Sequence, residues 1–286
     1  LAPSTKTRLT FDGAGDFEAG SYSGRNLHYG VREHAMGAVL NGLSLSKLRA
    51  YGSGFLIFSD YGRNPIRLAA IMEIPVIYVF THDSIGVGED GPTHEPIEHL
   101  MALRAVPHMT DFRPADANET AATWRLALER KKPCFFALTR QNVPVIDPAT
   151  HDAYAGVSKG AYVLEDVENP QVVLIATGSE VGPSLDAAKL LAGEGVRARV
   201  VSFPSWRIFE EQPASYKSSV LPKGVPKLAV EAGATLGWWK YVGSDGDVVG
   251  IDRFGASAPG GTVMAELGFT PENIAARAKK LIEQRR

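Results

Sequence analysis

Short apolar runs rich in β-branched and aromatic residues recur along this chain, and each is followed by a segment with helical spacing. The runs include PVIYVF at 75–80, PCFFALT at 133–139 and VVLIAT at 172–177. Runs of this length and composition are typical of strands buried on both faces of a sheet. Strands that alternate with helices predict a parallel sheet covered by helices on both sides. The expected fold class is therefore α/β.

This alternation is interrupted once, between residues 141 and 160. The interruption carries Pro, Gly and Asp and has no sustained periodicity, which is typical of a linker. A chain of 286 residues is also long enough for two domains that each bury their own core. We expect an α/β domain at 1–145, a linker at 146–160 and a second α/β domain at 161–286, each with a mainly parallel sheet.

Composition narrows the classes of function. A net charge of −2 offers no basic stripe for nucleic acid, and no apolar run approaches the roughly twenty residues of a membrane span. The single cysteine, Cys134, lies within a predicted strand, so no disulfide forms within the chain and a cytoplasmic protein is expected. Burial in that strand should also raise the thiol pKa and make Cys134 a poor nucleophile.

The segment that follows PVIYVF has the most concentrated chemistry in the chain. Its sequence, THDSIGVGEDGPTHEP at 81–96, contains His82, His94 and four acids between glycines and prolines that predict no regular structure. A single histidine here would be explained as a surface loop residue. Two histidines with several acids in a Gly-rich loop favour a polar crevice, because ligands of open α/β sheets bind at the carboxyl ends of strands.

Two further features have both structural and functional explanations. Glu33 starts a helix predicted at 33–46, directly after the strand-like NLHYG. The helix dipole alone would explain an acid there, because it stabilises a negative charge at a helix start by about 0.3 to 1 kcal/mol. Phe55, Phe58 and Tyr61 recur at three-residue intervals, which by itself is typical of a helical core stripe. The same aromatic side chains could instead form a pocket for a flat ring.

Arg140 follows the predicted strand at 133–139. A guanidinium group can bind phosphate through two parallel hydrogen bonds, so Arg140 is a candidate phosphate ligand. It could equally close a surface ion pair, worth at most about 1 kcal/mol.

Several of these stretches together resemble transketolases, the thiamine diphosphate enzymes that move two-carbon ketol units between sugar phosphates. The resemblance is carried by LAPS at 1–4, GVREHAMGA at 30–38, FLIFSDYGRNPIR at 55–67, GEDGPTHEP at 88–96 and TRQN at 139–142. It covers only the pyrimidine-binding and carboxyl-terminal domains of such enzymes. It implies thiamine diphosphate and Mg²⁺ as cofactors and sugar phosphates as substrates.

The resemblance also implies a role for each motif residue. Glu33 would be catalytic, through a hydrogen bond to N1′ of the aminopyrimidine ring. Phe58 would stack on that ring, with Phe55 and Tyr61 as the pocket wall. The substrate ligands implied are Ser4, His82 and Arg140 for the phosphate, Asp90 for a sugar hydroxyl, and His94, also catalytic, for the oxygens near the reacting carbons.

A GDG motif with a following Asn, which holds Mg²⁺ and diphosphate in this family, has no counterpart in the sequence. The nearest approach is Ser244-Asp245-Gly246-Asp247, without the Asn. We therefore expect no metal site in these residues. The diphosphate-binding half would come from a homodimer of a longer protein or from a separate chain, and the 286 residues alone would be inactive.

Other families and classes also fit parts of the sequence. The β subunit of a two-chain 2-oxo acid dehydrogenase has the same two-domain size, and deoxyxylulose phosphate synthase is a weaker relative, but GPTHEP and TRQN resemble transketolase. A non-catalytic ligand-binding module is the alternative outside enzymes. In the second domain, ATGSEV at 176–181 is interpreted as packing or a regulatory pocket, and the pair Trp238 and Trp239 as core or interface.

Overall fold

The computed structural model describes residues 13–149 and 151–284, and in them two α/β units follow one another along the chain. The first has a sheet of four parallel strands, and the second a mostly parallel sheet of five. The predicted fold class, two consecutive α/β domains, is confirmed. Ser4 lies outside the described residues.

The sheet of the first unit sets the position of the candidate site. Its order is β1-β2-β4-β3 and every pairing is parallel. The register aligns Phe55, Thr81 and Leu138, so the carboxyl ends of three neighbouring strands lie side by side. The strands are β1 (Tyr51–Phe55), β2 (Ile77–Thr81), β3 (Thr110–Phe112) and β4 (Cys134–Leu138).

Helices cover this sheet much as the sequence predicts. Asp116 caps α4 by accepting a 2.8 Å hydrogen bond from the Glu119 backbone N–H, which satisfies one of the free amides of the first turn. A short helix also lies within residues 141–160, where no periodicity was found. The helices are α1 (Glu33–Leu45), α2 (Arg63–Met72), α3 (His99–Arg104), α4 (Ala117–Arg130) and α5 (Ala153–Val157).

The strand predicted for NLHYG at 26–30 is wrong. Asn26 forms only an isolated bridge with Asp16. Backbone hydrogen bonds from Phe17 to Asn26 (2.8 Å) and from Asn26 to Gly15 (3.1 Å) tie the segment to the residues just before it. Because those bonds are local, the segment does not join the sheet.

Short 3₁₀ turns form where the sequence predicted either a helical core stripe or irregular structure. Residues Leu56–Asp60 form one 3₁₀ helix, and Ile85–Val87 and Gly91–Thr93 form two more inside the 81–96 loop. A 3₁₀ helix has three residues per turn, so the three-residue aromatic spacing reflects this geometry and not an α-helical core face.

The second unit contains an edge strand that the sequence did not reveal. Its sheet order is β5-β7-β6-β8-β9, and β5 alone runs antiparallel. Four short helices, α7 to α10, were also not predicted. The elements are β5 (Tyr162–Glu165), β6 (Val172–Ala176), α6 (Val181–Gly193), β7 (Ala198–Ser202), α7 (Trp206–Glu210), α8 (Ala214–Val220), β8 (Lys227–Val230), α9 (Trp239–Val242), β9 (Asp247–Val249), α10 (Gly260–Glu266) and α11 (Pro271–Glu283).

The apolar interior agrees with the buried-strand pattern. All five residues of β6 are buried, and Cys134 in β4 is buried with its thiol pKa raised by burial. Ile85 and Ile97 of the first unit pack into the core of the second. Trp238 is fully buried, whereas Trp239 is 46% exposed. Within the described ranges, no helix combines the length and hydropathy needed to cross a membrane.

Buried charges join the two units. Arg113, after β3, donates from Nε to Asp83 Oδ2 at 2.8 Å and from Nη1 to the Thr177 carbonyl at 2.9 Å, and it also pairs with Glu180. Burial alone would lower the pKa of Arg113, but the carboxylates of Glu180, Asp83 and Glu231 outweigh it and raise the pKa. The segment ATGSEV is therefore part of the contact between domains.

A second arginine extends this network. Arg104 makes a two-pronged contact with Glu231, at 2.7 and 2.9 Å, and donates from Nε to Asp111 at 3.0 Å. Trp238 Nε1 also donates to Glu231 at 2.8 Å. Burial would raise the pKa of Glu231, but Arg104 and Arg113 hold it below its usual value. We refer to Arg104, Arg113, Asp83, Asp111, Glu180 and Glu231 as the ionic network.

Glu119, a buried acid on α4, also connects the two units, through hydrogen bonds. Glu119 accepts hydrogen bonds from the Tyr162 hydroxyl (2.8 Å), the Ser202 hydroxyl (2.6 Å) and the Ala115 backbone N–H (2.8 Å). Burial raises the pKa of Glu119, and its partners lower it only in part. Two residues of the second unit are thus tied to the first turn of a helix in the first.

Gly178 provides a test of the ionic network. Its φ is +59°, and a Cβ there would lie 2.7 Å from Arg113 Cζ. We expect Gly178→Ala to lower the free energy of unfolding by about 1 to 3 kcal/mol, because strained backbone and the displaced guanidinium both cost energy. Gly182→Ala, at a site in α6 with nothing within 4 Å, should be neutral or stabilising. Urea unfolding that shows equal effects would contradict this account.

Candidate functional site

Three of the predicted site residues follow the aligned ends of neighbouring strands. Phe55 ends β1, His82 comes directly after β2, and Arg140 lies two residues beyond the end of β4. The parallel register places Phe55, Thr81 and Leu138 opposite one another. The sheet therefore brings these three parts of the sequence to one edge.

An aromatic row runs across this edge. The rings of His82 and Phe55 stack with centroids 3.7 Å apart and planes 17° apart. Phe55 and Phe58 follow at 6.0 Å and 10°, and Phe58 and Tyr61 at 6.1 Å and 25°. Phe55 and Phe58 are half-buried and Tyr61 is 66% exposed. We call His82, Phe55, Phe58 and Tyr61 the aromatic row, and its accessible end can receive a flat ring.

The two histidines of the 81–96 loop are held in different ways. His82 is buried and has a φ of +60°, a left-handed conformation that is costly outside glycine by about 1 to 3 kcal/mol. His94 is half-buried and meets Phe58 edge-on, with centroids 5.7 Å apart. Its Nδ1 lies 2.9 Å from the Thr93 hydroxyl. A surface-loop assignment does not fit His82, since a buried ring stacked on Phe55 is an ordered part of the site.

Glu33 lies beside the end of the aromatic row. It is the first residue of α1 and is half-buried. A Cβ at Gly62, directly after Tyr61, would lie 3.7 Å from the Glu33 backbone oxygen. The first turn of α1 therefore packs against the end of the 3₁₀ helix that carries the aromatic side chains. This backbone contact places the helix start that carries Glu33 next to the motif that carries the rings.

Asp90 and Arg140 are both exposed to solvent. Asp90 precedes the turn Gly91–Thr93 in the same loop as His94. Arg140 precedes Gln141, whose Nε2 lies 3.2 Å from the Ser179 hydroxyl of the second unit. Both charged groups are therefore accessible to a ligand that approaches this edge from solvent.

Sequence reasoning gave no role to Glu95. Its side chain is buried, and neither carboxylate oxygen has a hydrogen bond of good geometry. Burial raises the pKa of Glu95 to about 7, although the nearby backbone N–H groups of Ala256 and Gly88 favour the ionised form. The only signal was its place next to His94 in GPTHEP. Its burial depends on the second unit and was not visible in the sequence.

A second unpredicted group lies near the aromatic row. His99 Nε2 is 3.1 Å from Asp60 Oδ2, and His99 Nδ1 is 3.8 Å from Glu98 Oε2. Ligand atoms of these three residues lie within 4.8 Å of one another, close enough to share a cation, and the two carboxylates are exposed. No spacing in the sequence linked Asp60 to the start of α3.

An acid at a helix start, a row of aromatic side chains and a histidine-bearing loop lie at one edge of a parallel sheet, an arrangement typical of enzymes that bind a planar cofactor there. Family profiles agree with this class. One described as "Transketolase, pyrimidine binding domain" matches residues 3–146, and one described as "Transketolase-like TK C-terminal domain" matches 160–270. The chain belongs to the transketolase family.

Relatives with high identity extend along the whole chain. A transketolase of Geobacillus stearothermophilus is 57% identical over 99% of this chain, and one of Bacillus subtilis is 55% identical over 99%. In both cases the match covers 43% of the relative. The chain therefore spans about two fifths of the length of these two relatives.

Solved structures show the same fold. Transketolase from Leishmania mexicana superposes with a TM-score of 0.90 at 45% identity, over 95% of this chain and 40% of that one. A Pichia stipitis transketolase in complex with sedoheptulose-7-phosphate gives 0.91 at 44%, over 96% and 41%. A split-gene transketolase, an inactive β4 tetramer, shares the fold at a TM-score of 0.75 and 24% identity, and the match covers 84% of it.

The buried Glu95 carboxyl predicts a pH-dependent stability. Its pKa is about 7 in the folded chain against an ordinary 4.5, so the folded chain holds this proton more tightly than the unfolded chain does. Its stabilising contribution is full below about pH 4.5 and is lost as the pH rises through 7. When the pH is raised from 5 to 8, the original chain should therefore lose about 2 kcal/mol of unfolding free energy that the Glu95→Gln variant keeps.

Urea unfolding at the two pH values measures this difference. Glu266→Gln, at an exposed carboxyl at the end of α10, controls for the loss of one negative charge. A Glu95→Gln chain whose stability changes with pH as much as the original would show that Glu95 is not the group responsible.

Proposed function

We propose that this chain forms the pyrimidine-binding part of a transketolase that transfers a two-carbon ketol unit from a ketose phosphate to an aldose phosphate, in the pentose phosphate pathway. The observation that carries the proposal is the aromatic row, in which Phe58 meets His94 and Tyr61 precedes the glycine that packs against the start of α1 at Glu33. It joins three motifs that are distant in sequence into one site. Relatives at 55–57% identity that are named transketolase favour this reaction over that of a 2-oxo acid dehydrogenase β subunit.

The residues at this edge fit thiamine diphosphate. Phe58 would stack on the aminopyrimidine ring, with Phe55 and Tyr61 as the pocket wall, because an accessible and nearly parallel set of rings suits a flat heteroaromatic guest. Glu33 would donate to or share a proton with N1′ of that ring from its half-buried position at the start of α1. When bound, the cofactor supplies the carbon nucleophile for ketol transfer.

The charged groups at the sheet edge would bind the sugar phosphate. The exposed Arg140 can place two parallel N–H donors on a phosphate, with His82 and Ser4 as further ligands. Asp90 would accept from a sugar hydroxyl. His94, held against Phe58, would donate to the oxygens near the reacting carbons. The Pichia stipitis complex with sedoheptulose-7-phosphate supports this class of substrate.

The diphosphate and Mg²⁺ would be held by another part of the assembly, either in the second subunit of a homodimer or in a separate diphosphate-binding chain. We expect the enzyme to act in the cytoplasm. The 286 residues alone should be inactive, because their sequence offers no GDG motif with its following Asn.

Ketol transfer from xylulose 5-phosphate to ribose 5-phosphate tests the proposal. The full-length protein that contains these residues, or this chain with a diphosphate-binding half supplied, is assayed with thiamine diphosphate and Mg²⁺. Glu33→Gln should lower kcat by at least about a hundredfold, because a positioned proton donor contributes that much, while the melting temperature hardly changes. Absence of transfer by the unmutated assembly, or near-normal turnover by Glu33→Gln, would reject the assignment.

Arg140→Ala should raise KM for phosphorylated sugars by about tenfold or more, since a charge-assisted phosphate contact is worth more than about 1.5 kcal/mol. KM for unphosphorylated sugars should barely change. Arg125→Ala is the control, because Arg125 is an exposed arginine on α4 that pairs with Glu129. Equal effects of Arg140→Ala on both kinds of sugar would remove Arg140 from the phosphate site.

A further inference from the structure

Residues 255–260 of the second unit, which we call the buttress segment, lie directly against the 81–96 loop. The Ser257 hydroxyl donates to the Glu89 backbone carbonyl at 2.5 Å. A Cβ at Gly88 would lie 2.8 Å from the Gly260 nitrogen, and one at Gly260 would lie 2.6 Å from the Gly86 carbonyl oxygen. The two backbones therefore approach closely enough that side chains on either glycine would force them apart.

The contact continues at both ends of the loop. A Cβ at Gly255 would lie only 1.7 Å from Glu95 Oε2, so the missing side chain makes room for the buried carboxyl next to His94. A Cβ at Gly91 would lie 3.0 Å from Ser257 Cβ. Ile85, at the start of the loop, is fully buried in the core of the second unit.

The loop has little regular structure of its own to fix its shape. Its regular structure consists of two three-residue 3₁₀ turns, Ile85–Val87 and Gly91–Thr93, which are too short to be stable without tertiary contacts. Asp90 directly precedes the second of these turns and His94 directly follows it. The positions of these two side chains are therefore fixed by the residues against which the loop packs.

We propose that the buttress segment positions the sugar-binding side chains Asp90 and His94 by clamping the loop backbone on both sides of them. This assigns a catalytic support role to the carboxyl-terminal domain, which contributes no other described side chain to the site proposed above. Ser257, Gly255 and Gly260 are positioning residues in this scheme. The proposal rests on the proposed function for its kinetic consequences but not for its structural one.

Two adjacent glycines in the first turn of α10 make a matched pair of variants. Gly260→Ala places a methyl group 2.6 Å from the Gly86 carbonyl oxygen, whereas Gly261→Ala meets nothing within 4 Å. Both replace glycine by alanine near the start of the same helix, so any gain in helix propensity is shared. The difference between them isolates the contact with the loop.

Amide hydrogen exchange on this chain gives the first readout. Gly260→Ala should speed exchange in peptides from residues 81–96 relative to Gly261→Ala, with exchange in β6 and β8 unchanged. In the full-length enzyme, kcat/KM for the sugar phosphates should fall by about tenfold or more for Gly260→Ala, because a displacement of about 1 Å at a reacting group can cost up to a hundredfold. Thiamine diphosphate affinity should stay within about twofold, since Glu33 and the rings proposed to hold the cofactor, Phe55, Phe58 and Tyr61, lie outside the 81–96 loop.

Equal exchange and equal sugar kinetics in the two variants would overturn the proposal, as would a fall in cofactor affinity as large as the fall in kcat/KM. If the unmutated assembly transfers no ketol group, the proposed function fails and the exchange comparison alone decides the clamping. Ser257→Ala should show a smaller effect in the same direction, and Ser257→Thr, which keeps the hydroxyl, should restore it. A Thr variant as impaired as Ala would exclude the hydrogen bond to Glu89.

Discussion

The buried pairing of Arg113 with carboxylates from both units is the interaction on which the structure most depends. Unpaired, a charge in this interior would cost several kcal/mol, so each partner fixes the others in place. Asp83 comes from the start of the 81–96 loop and Glu180 from the turn before α6. A single guanidinium therefore sets the spacing between a strand end that carries the candidate site and the second sheet.

This arrangement explains why the candidate site needs the second unit even though its ligating side chains come from the first. Near its start the loop is held by Asp83, which pairs with Arg113, and by Ile85, which is buried in the second core. Near its end it is held by Glu95, which is buried against Gly255. Between these points it exposes Asp90 to solvent and holds His94 at the aromatic row. Charge pairing, apolar burial and close backbone approach therefore act at different positions along one loop.

Individual elements show which parts of the fold could be predicted from the sequence and which could not. The apolar runs became β2, β4 and β6 because continuous burial of this kind is compatible with a central parallel strand. NLHYG has strand-like composition, yet local hydrogen bonds to residues 15–17 satisfied its backbone and kept it out of the sheet. The spacing of Phe55, Phe58 and Tyr61 was noticed, but it pointed to a core stripe, since periodicity does not report which face is solvent-exposed. The edge strand β5 was missed because an edge strand is only half-buried and carries a weak apolar signal.

The sequence by itself determined the class of fold, the family, and the motif residues that the resemblance marks as cofactor and substrate ligands, because these depend on local composition and on short motifs. The tertiary structure alone decided that His82 stacks on Phe55, that Glu180 pairs with Arg113, and that Glu95 is buried with a raised pKa. Phe55 and His82 are 27 positions apart in the sequence, and Arg113 and Glu180 are 67 apart. Glu95 and Gly255 are about 160 apart. Burial and pairing at such distances arise from how strands pair within a sheet and how the two sheets pack together, and no local pattern encodes them.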